Sequence, residues 1–211
     1  MNDKPQKRPR NSRSELQLET RGRLVQATIE VISGKGYQCA TIDHITAHAG
    51  TGRATFYLHF RSKPEALMAG WRELYTPLTL SLLLELDHAY PVSKDFMQQW
   101  VDRFMTLWER NKAIALASQE AISLEPALAK AWYQEIWNVS TELPNWAQRN
   151  SDDTDAPHRL FMIGAFTDRV LTLWVANFTP STREQIGESL MERWLTEFGA
   201  DAGGVPLTTQ A

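Results

Sequence analysis

The stretch Thr41 to Leu67, TIDHITAHAGTGRATFYLHFRSKPEAL, decides how this chain folds. Thr41 can N-cap a helix running to about His48, with Asp43 well placed at its positive end. Ile42, Ile45 and Ala49 give that helix an apolar stripe. Gly50 can adopt the left-handed conformation a sharp turn needs. Thr51 can then cap a second short helix from Gly52 to about Phe60. Two short helices joined by a three- to four-residue turn have the geometry of a helix-turn-helix.

The second helix is small and polar at its start and aromatic at its end. Thr51, Gly52, Arg53, Ala54 and Thr55 lie at the N-terminal end, where a groove-bound helix reaches base edges. Arg53 can bond guanine bidentately, and Ala54 or the Thr55 methyl can touch thymine. Phe56 and Phe60 are four apart and share the core face. Tyr57 and His59 fall on other sides, with donors able to reach phosphates. Ser62-Lys63-Pro64-Glu65 then reads as a capping box opening another helix, with Pro64 tolerated in the first turn. His44 and His48 are four apart, but HITAH has no Glu or Cys to complete a metal site, so no metal is expected.

Upstream, a helix is expected from Ser14 or Glu19 to Ser33, with Leu24, Ala27, Thr28, Val31 and Ile32 on one face. Gly34 and Gly36 stop it, and Tyr37 can pack back as an anchor. Residues 1–14, MNDKPQKRPRNSRS, read as a flexible basic arm, either a solubilising tail or a phosphate or minor-groove contact. Downstream, helical periodicity passes through Trp71, Leu74, Leu78 and Leu82, with a kink near Pro77. Further helical segments are Ser93–Arg110, Lys112–Leu124, Pro126–Arg149, Ala156–Phe178 and Thr182–Phe198, with Pro144 kinking or ending the third of these five. Nothing shows period-two alternation. The expected fold class is all-α, with a helix-turn-helix unit over 15–67, a larger helical body over 68–199 and a loose tail over 200–211.

Charge divides the same way. Residues 1–70 carry 11 Lys and Arg against 6 Asp and Glu, whereas the remainder carries 11 against 19. A basic first third on an acidic body directs a polyanion to the first third only. One cysteine, Cys39, excludes an internal disulfide framework and fits a reducing compartment; a lone Cys near a cap is expected to be buried. No signal-peptide pattern or apolar run of membrane length is present, so the expected location is the cytoplasm and no membrane partner is expected. There is no nucleophile elbow, Walker loop or dinucleotide fingerprint, which argues against an enzyme.

Arg21 to Leu67 resembles the DNA-binding domain of the TetR family of bacterial repressors. The resemblance rests on Gly36-Tyr37, Thr41, Ile45, Ala49-Gly50, Thr55, Tyr57, Phe60, Ser62-Lys63 and Leu67. It implies a three-helix, homeodomain-like unit that binds double-stranded DNA. Thr41, Tyr57 and Lys63 would hold phosphates, while Thr51, Arg53, Ala54, Thr55 and His59 would face the groove or its edge. Gly52 stands where a further contact could have been made.

For the body, the resemblance implies a small-molecule effector, no cofactor and a homodimer. Eight tryptophans, seven of them between residues 100 and 194, fit either an aromatic core or a pocket for an apolar or aromatic effector. The candidates are Trp100, Phe104, Trp108, Trp132, Trp137, Phe161 and Trp174, the first three on one helical face. Leu160–Phe178 is apolar on more than one face, so 156–198 is the expected dimer interface. Asp168 and Arg169 interrupt it and either pair across the interface or point into the pocket. The implied mechanism is a repressor released from a pseudopalindromic operator by its effector. A helix-turn-helix activator or a regulator controlled by a protein partner is the competing reading.

Overall fold

The computed structural model describes residues 13–199; the basic arm up to residue 12 and the tail from 200 lie outside the described residues. Among them the chain forms eleven α-helices and no strand. Helices α1 (Arg13–Lys35), α2 (Ile42–His48), α3 (Arg53–His59) and α4 (Lys63–Gly70) make the N-terminal unit. Helix α1 starts at Arg13, so Arg13 and Ser14 belong to the helix and not to the arm. Its stripe of Leu24, Ala27, Thr28, Val31 and Ile32 is buried, as the spacing predicts.

The caps follow local chemistry, with two departures. Thr41 caps α2 by accepting the His44 N–H, and the His44 ring returns the bond to the Thr41 N–H. Gly50, at φ +63, makes the turn. The cap of α3 is Gly52 and not Thr51, because the Thr51 N–H is drawn back to the Thr46 carbonyl at 2.9 Å and extends the turn by one residue. Ser62 caps α4 by accepting the Glu65 N–H at 3.3 Å, but Glu65 accepts from the Arg61 N–H at 2.6 Å, one residue outside the expected reciprocal box.

Pro77 acts four residues upstream of itself. A proline ring collides with the carbonyl four residues before it. The chain widens into a π turn over Trp71–Tyr75, closed by the Thr76 N–H on the Trp71 carbonyl, before α5 (Thr76–Ala89) resumes. The body continues with α6 (Lys94–Arg110), α7 (Lys112–Leu124), α8 (Pro126–Asn138), α9 (Pro144–Arg149), α10 (Ala156–Val175) and α11 (Arg183–Phe198). Pro144 does not end a helix; the break falls earlier, through the 3-10 turn Val139–Thr141, and Pro144 opens α9, where its missing N–H costs nothing. Helix α10 stops at Val175 rather than Phe178, since Asn177 takes a left-handed φ of 60°.

Two cores result. One joins α1 to α4 with Trp71 and with Ile114, Ala117, Ala121 and Leu128 of α7 and α8. The other lies among α5, α6, α9, α10 and α11 around Trp100, Trp146 and Trp194. Helices α1 and α4 approach so closely that a Cβ on Gly70 would stand 2.4 Å from Ile29 Cδ1. Ile29 is itself buried and has little room to yield. Gly70→Ala is therefore expected to lose about 1 kcal/mol in urea unfolding despite its better helix propensity; a more stable variant would contradict the close approach.

Candidate DNA-reading helix and body cavity

On α3 the two aromatic residues divide from the polar ones. Phe56 is fully buried and Phe60 nearly so, their rings 5.7 Å apart, which bolts the helix to the first core. Arg53, Ala54, Tyr57 and Leu58 are exposed, while Thr51, Thr55 and His59 are partly so. Arg53 is held ready: its guanidinium donates to Asp43 of α2 at 2.9 Å and to the Tyr57 hydroxyl at 3.4 Å. Those bonds raise its already high pKa, so it is a permanent cation. Tyr57 stands four residues on along α3, but the Asp43 partner comes from α2 and was not legible from α3 alone. Leu58 is the unforeseen member of the surface, 78% exposed beside Ala54.

The predicted phosphate contacts are arranged differently. The Thr41 hydroxyl serves the cap of α2, but the residue is exposed at the helix start. Lys63 turns inward. Its ammonium donates to the carbonyls of Tyr37 at 2.6 Å and Ala40 at 2.9 Å, and lies 3.9 Å from the Tyr37 ring centroid. Burial holds its pKa below the ordinary lysine value. His48 meets Glu30 of α1 at 2.5 Å, and no metal-binding cluster occurs among the described residues. Cys39 is exposed, contrary to expectation, because Tyr37 and Ala40 take the inward places in that loop.

The loop after α1 is tied to the body. Gly36, at φ +79, turns the chain so that the Tyr37 and Gln38 N–H groups both donate to the Glu120 carboxylate of α7, at 2.8 and 3.1 Å. The Tyr37 hydroxyl donates to Glu125 at 3.0 Å, and the Trp71 indole N–H to Ser118 of α7 at 2.9 Å. Arg21 of α1 stands over the Phe60 ring and pairs with Glu73 in the π turn. Helix α7 thus grips the N-terminal unit with one set of side chains.

The residues before and between these, Ala115, Ser118 and Gln119, line a recess of about 70 Å³. It shares Tyr75, Thr79, Trp108, Trp132 and Asp168 with a larger cavity of about 450 Å³ among α5, α6, α8, α10 and α11. Of the aromatic residues singled out in the sequence, Phe104, Trp108 and Trp132 line this cavity. Trp100 does not: it is fully buried, stacks on Phe104 at 4.9 Å and donates to the Leu82 carbonyl at 2.7 Å. Trp137 and Phe161 pack on each other at 5.5 Å, and Trp174 packs against the second core, all outside the lining. The sequence reading missed Tyr75 and Trp194. Asp168 points into the cavity wall, while Arg169 is exposed.

Residues 24–69 match the profile of bacterial regulatory proteins of the tetR family. The HTH-type transcriptional regulator YvdT of Bacillus subtilis, itself uncharacterized, is 30% identical over 136 residues, 63% of this chain and 69% of that regulator. The chain belongs to the TetR family of bacterial transcriptional regulators. The HTH-type regulator SrpR of Pseudomonas putida is 38% identical over 68 residues, about a third of each protein. A TetR-family structure from Mesorhizobium loti superposes with a TM-score of 0.62 at 16% identity, over 89% of this chain and 96% of that one. The transcriptional regulator FadR of B. subtilis, solved with stearoyl-CoA, superposes with a TM-score of 0.56 at 19% identity, over 83% of this chain and 98% of that one. These establish a helix-turn-helix domain and a helical body in a DNA-binding regulator rather than an enzyme. No helix among the described residues is long and apolar enough to cross a membrane.

Proposed function

We propose that the chain is a homodimeric repressor whose operator affinity is set by a small molecule in the body cavity. The observation that carries this reading is α7. One end of it holds the loop before the helix-turn-helix through Glu120, joined by Glu125 immediately after its last residue, and Ser118 and Gln119 border the cavity system. A ligand that prefers one packing of α7 changes the position of the DNA-reading unit by the difference in its affinity for the two packings. Residues 15–67 act as the reading unit, 68–199 as the effector and dimer body, and the site of action is the cytoplasm. That FadR was solved with an acyl-CoA supports a ligand role for a body of this fold.

In this reading Thr51, Gly52, Arg53, Ala54 and Thr55 enter the major groove, with Leu58 beside them. Tyr57, Thr41 and His59 face the backbone. Lys63 fixes the loop of Tyr37 and Ala40 with two of its N–H groups and offers the third to a phosphate. The dimer surface is α10 with α11. Met162, 63% exposed, stands four and eight residues before the half-buried Phe166 and Val170 on α10. Arg193 of α11 covers Phe166 at 4.5 Å. Light scattering is expected to give twice the chain mass, and Val170→Glu to return it to one.

The test is retardation of the DNA upstream of the protein's own gene. Arg53→Ala is expected to bind that DNA roughly 10- to 100-fold more weakly while binding random DNA little changed, because a base contact carries discrimination and a phosphate contact does not. Equal losses on both DNAs would move Arg53 from the bases to the backbone. Glu120→Ala is expected to keep DNA binding but to reduce its response to effector by roughly 2- to 30-fold. An unchanged response would remove α7 as the link.

A further inference from the structure

Resting on the reading of the body as an effector site, we infer that the effector carries a protonated amine on an aromatic or apolar frame, with the Asp168 carboxylate as its counter-ion. Asp168 sits on α10 where the two recesses meet. Its polar contact there is the Gln119 amide, at a long 3.5 Å. The neighbouring Arg169 does not enter the cavity; its guanidinium reaches the other end of the same amide, at 3.4 Å. The carboxylate is thus half-buried against the cavity wall, without a cation of its own inside the cavity. Burial pushes its pKa up to about 6, against which the Trp132 indole and Arg169 act only partly.

The rest of the wall has the same sign. Its basic side chain is Arg72, already committed to Glu135 at 2.7 Å, while Glu142 and Asp168 remain. An anionic ligand would meet three carboxylates and one spent guanidinium. A cation would be attracted by the same carboxylates, in a lining that also includes the aromatic residues Tyr75, Trp108 and Trp132. The volume of about 450 Å³ suits a small organic molecule. The Trp108 and Trp132 indole N–H groups are buried without a hydrogen-bonded partner. The Trp132 N–H lies near enough to Asp168 to favour its charge but short of bonding geometry. The Trp108 donor remains for a neutral acceptor on the same ligand, such as an ether or carbonyl oxygen.

Three probes of one shape separate the possibilities: 1-naphthylmethylammonium, 1-naphthylmethanol and 1-naphthylacetate, titrated calorimetrically into the full chain at pH 7.5. The ammonium is expected to bind at least about 10-fold more tightly than the alcohol, and the carboxylate most weakly. Asp168→Asn, nearly the same in shape, is expected to remove the preference while keeping the alcohol's affinity, which also shows that the variant folds. If the alcohol or carboxylate binds wild type as well as the ammonium, or the preference survives in Asp168→Asn, the counter-ion is overturned and the effector site stands. If none of the three binds at millimolar concentration, the counter-ion and the effector site fail together.

Discussion

Asp168→Asn is expected to make the ligand-free protein more stable, by about 2 kcal/mol at pH 7.5. The carboxyl group titrates near pH 3.9 in an unfolded chain and near 6 in the fold, where burial opposes its charge. Each pKa unit of difference is worth about 1.4 kcal/mol, and the partial exposure of the carboxylate through the cavity mouth reduces the resulting figure of about 3 kcal/mol to about 2. The sign follows from proton uptake. Between about pH 4 and 6 the folded state holds a proton that the unfolded state has released, so folding stability from this group falls as pH rises through that window. Below it both states are neutral and the penalty vanishes; above it both are charged and the penalty is complete. Asparagine keeps the shape and the contact with Gln119 but has no charge to bury. The difference in urea-unfolding free energy between wild type and variant should therefore shrink from about 2 kcal/mol at pH 7.5 towards zero at pH 4. A difference that stays constant with pH would show that the carboxylate is solvated through the cavity mouth. The stabilised variant should also lose the cation preference, since one buried charge underlies both effects.

The sequence carried most of the N-terminal unit because that unit is built from short-range chemistry. Thr41, Gly50, Ser62 and the apolar spacing of Ile45, Phe56 and Phe60 act within a few residues of themselves. Helix ends in the body were legible for the same reason wherever Pro, Asn or a capping hydroxyl marks them, as at Ser93, Asn111 and Thr182. What the sequence did not show depends on helices meeting. Glu120 serves a loop 83 residues away, and nothing around it in the chain distinguishes it from a solvated glutamate. Lys63 reads as a phosphate ligand until the carbonyls of Tyr37 and Ala40 are seen beside it. Trp100, Phe104 and Trp108 form one stripe on α6, yet only its far end reaches the cavity, because α5 and α11 close over Trp100. The position of Asp168 was similarly open between interface and pocket until α7 and α8 were placed against α10.

Asp87→Ala is expected to cost more than any other single change considered, about 3 kcal/mol or slightly above. Helix α9 has only six residues and its cap position, Leu143, offers no side-chain acceptor. Pro144 brings no N–H, so the first donors to be satisfied are those of Asn145 and Trp146. Both go to Asp87 of α5, at 3.0 and 2.6 Å, and the residue is 1% exposed. A helix this short does not persist on its own propensity; a carboxylate from another helix acts as its cap. Removing it breaks two charge-assisted hydrogen bonds and leaves the buried Trp146 N–H and the part-buried Asn145 N–H without their acceptor; the loss is about 1.5–3 kcal/mol for the buried donor and less for the other, which water can reach. Asp87→Asn retains one acceptor oxygen and should recover roughly half. The damage should be local in its consequences. Helix α9 carries Trp146 into the second core and braces α5, whose Leu80 and Leu83 line the cavity. Amide exchange should quicken first in α9 and the neighbouring part of α5, and probe binding in the cavity should weaken before operator binding does. A loss below about 1 kcal/mol would mean that water replaces the carboxylate at the α9 N-terminus, and the cavity would then keep its affinity as well.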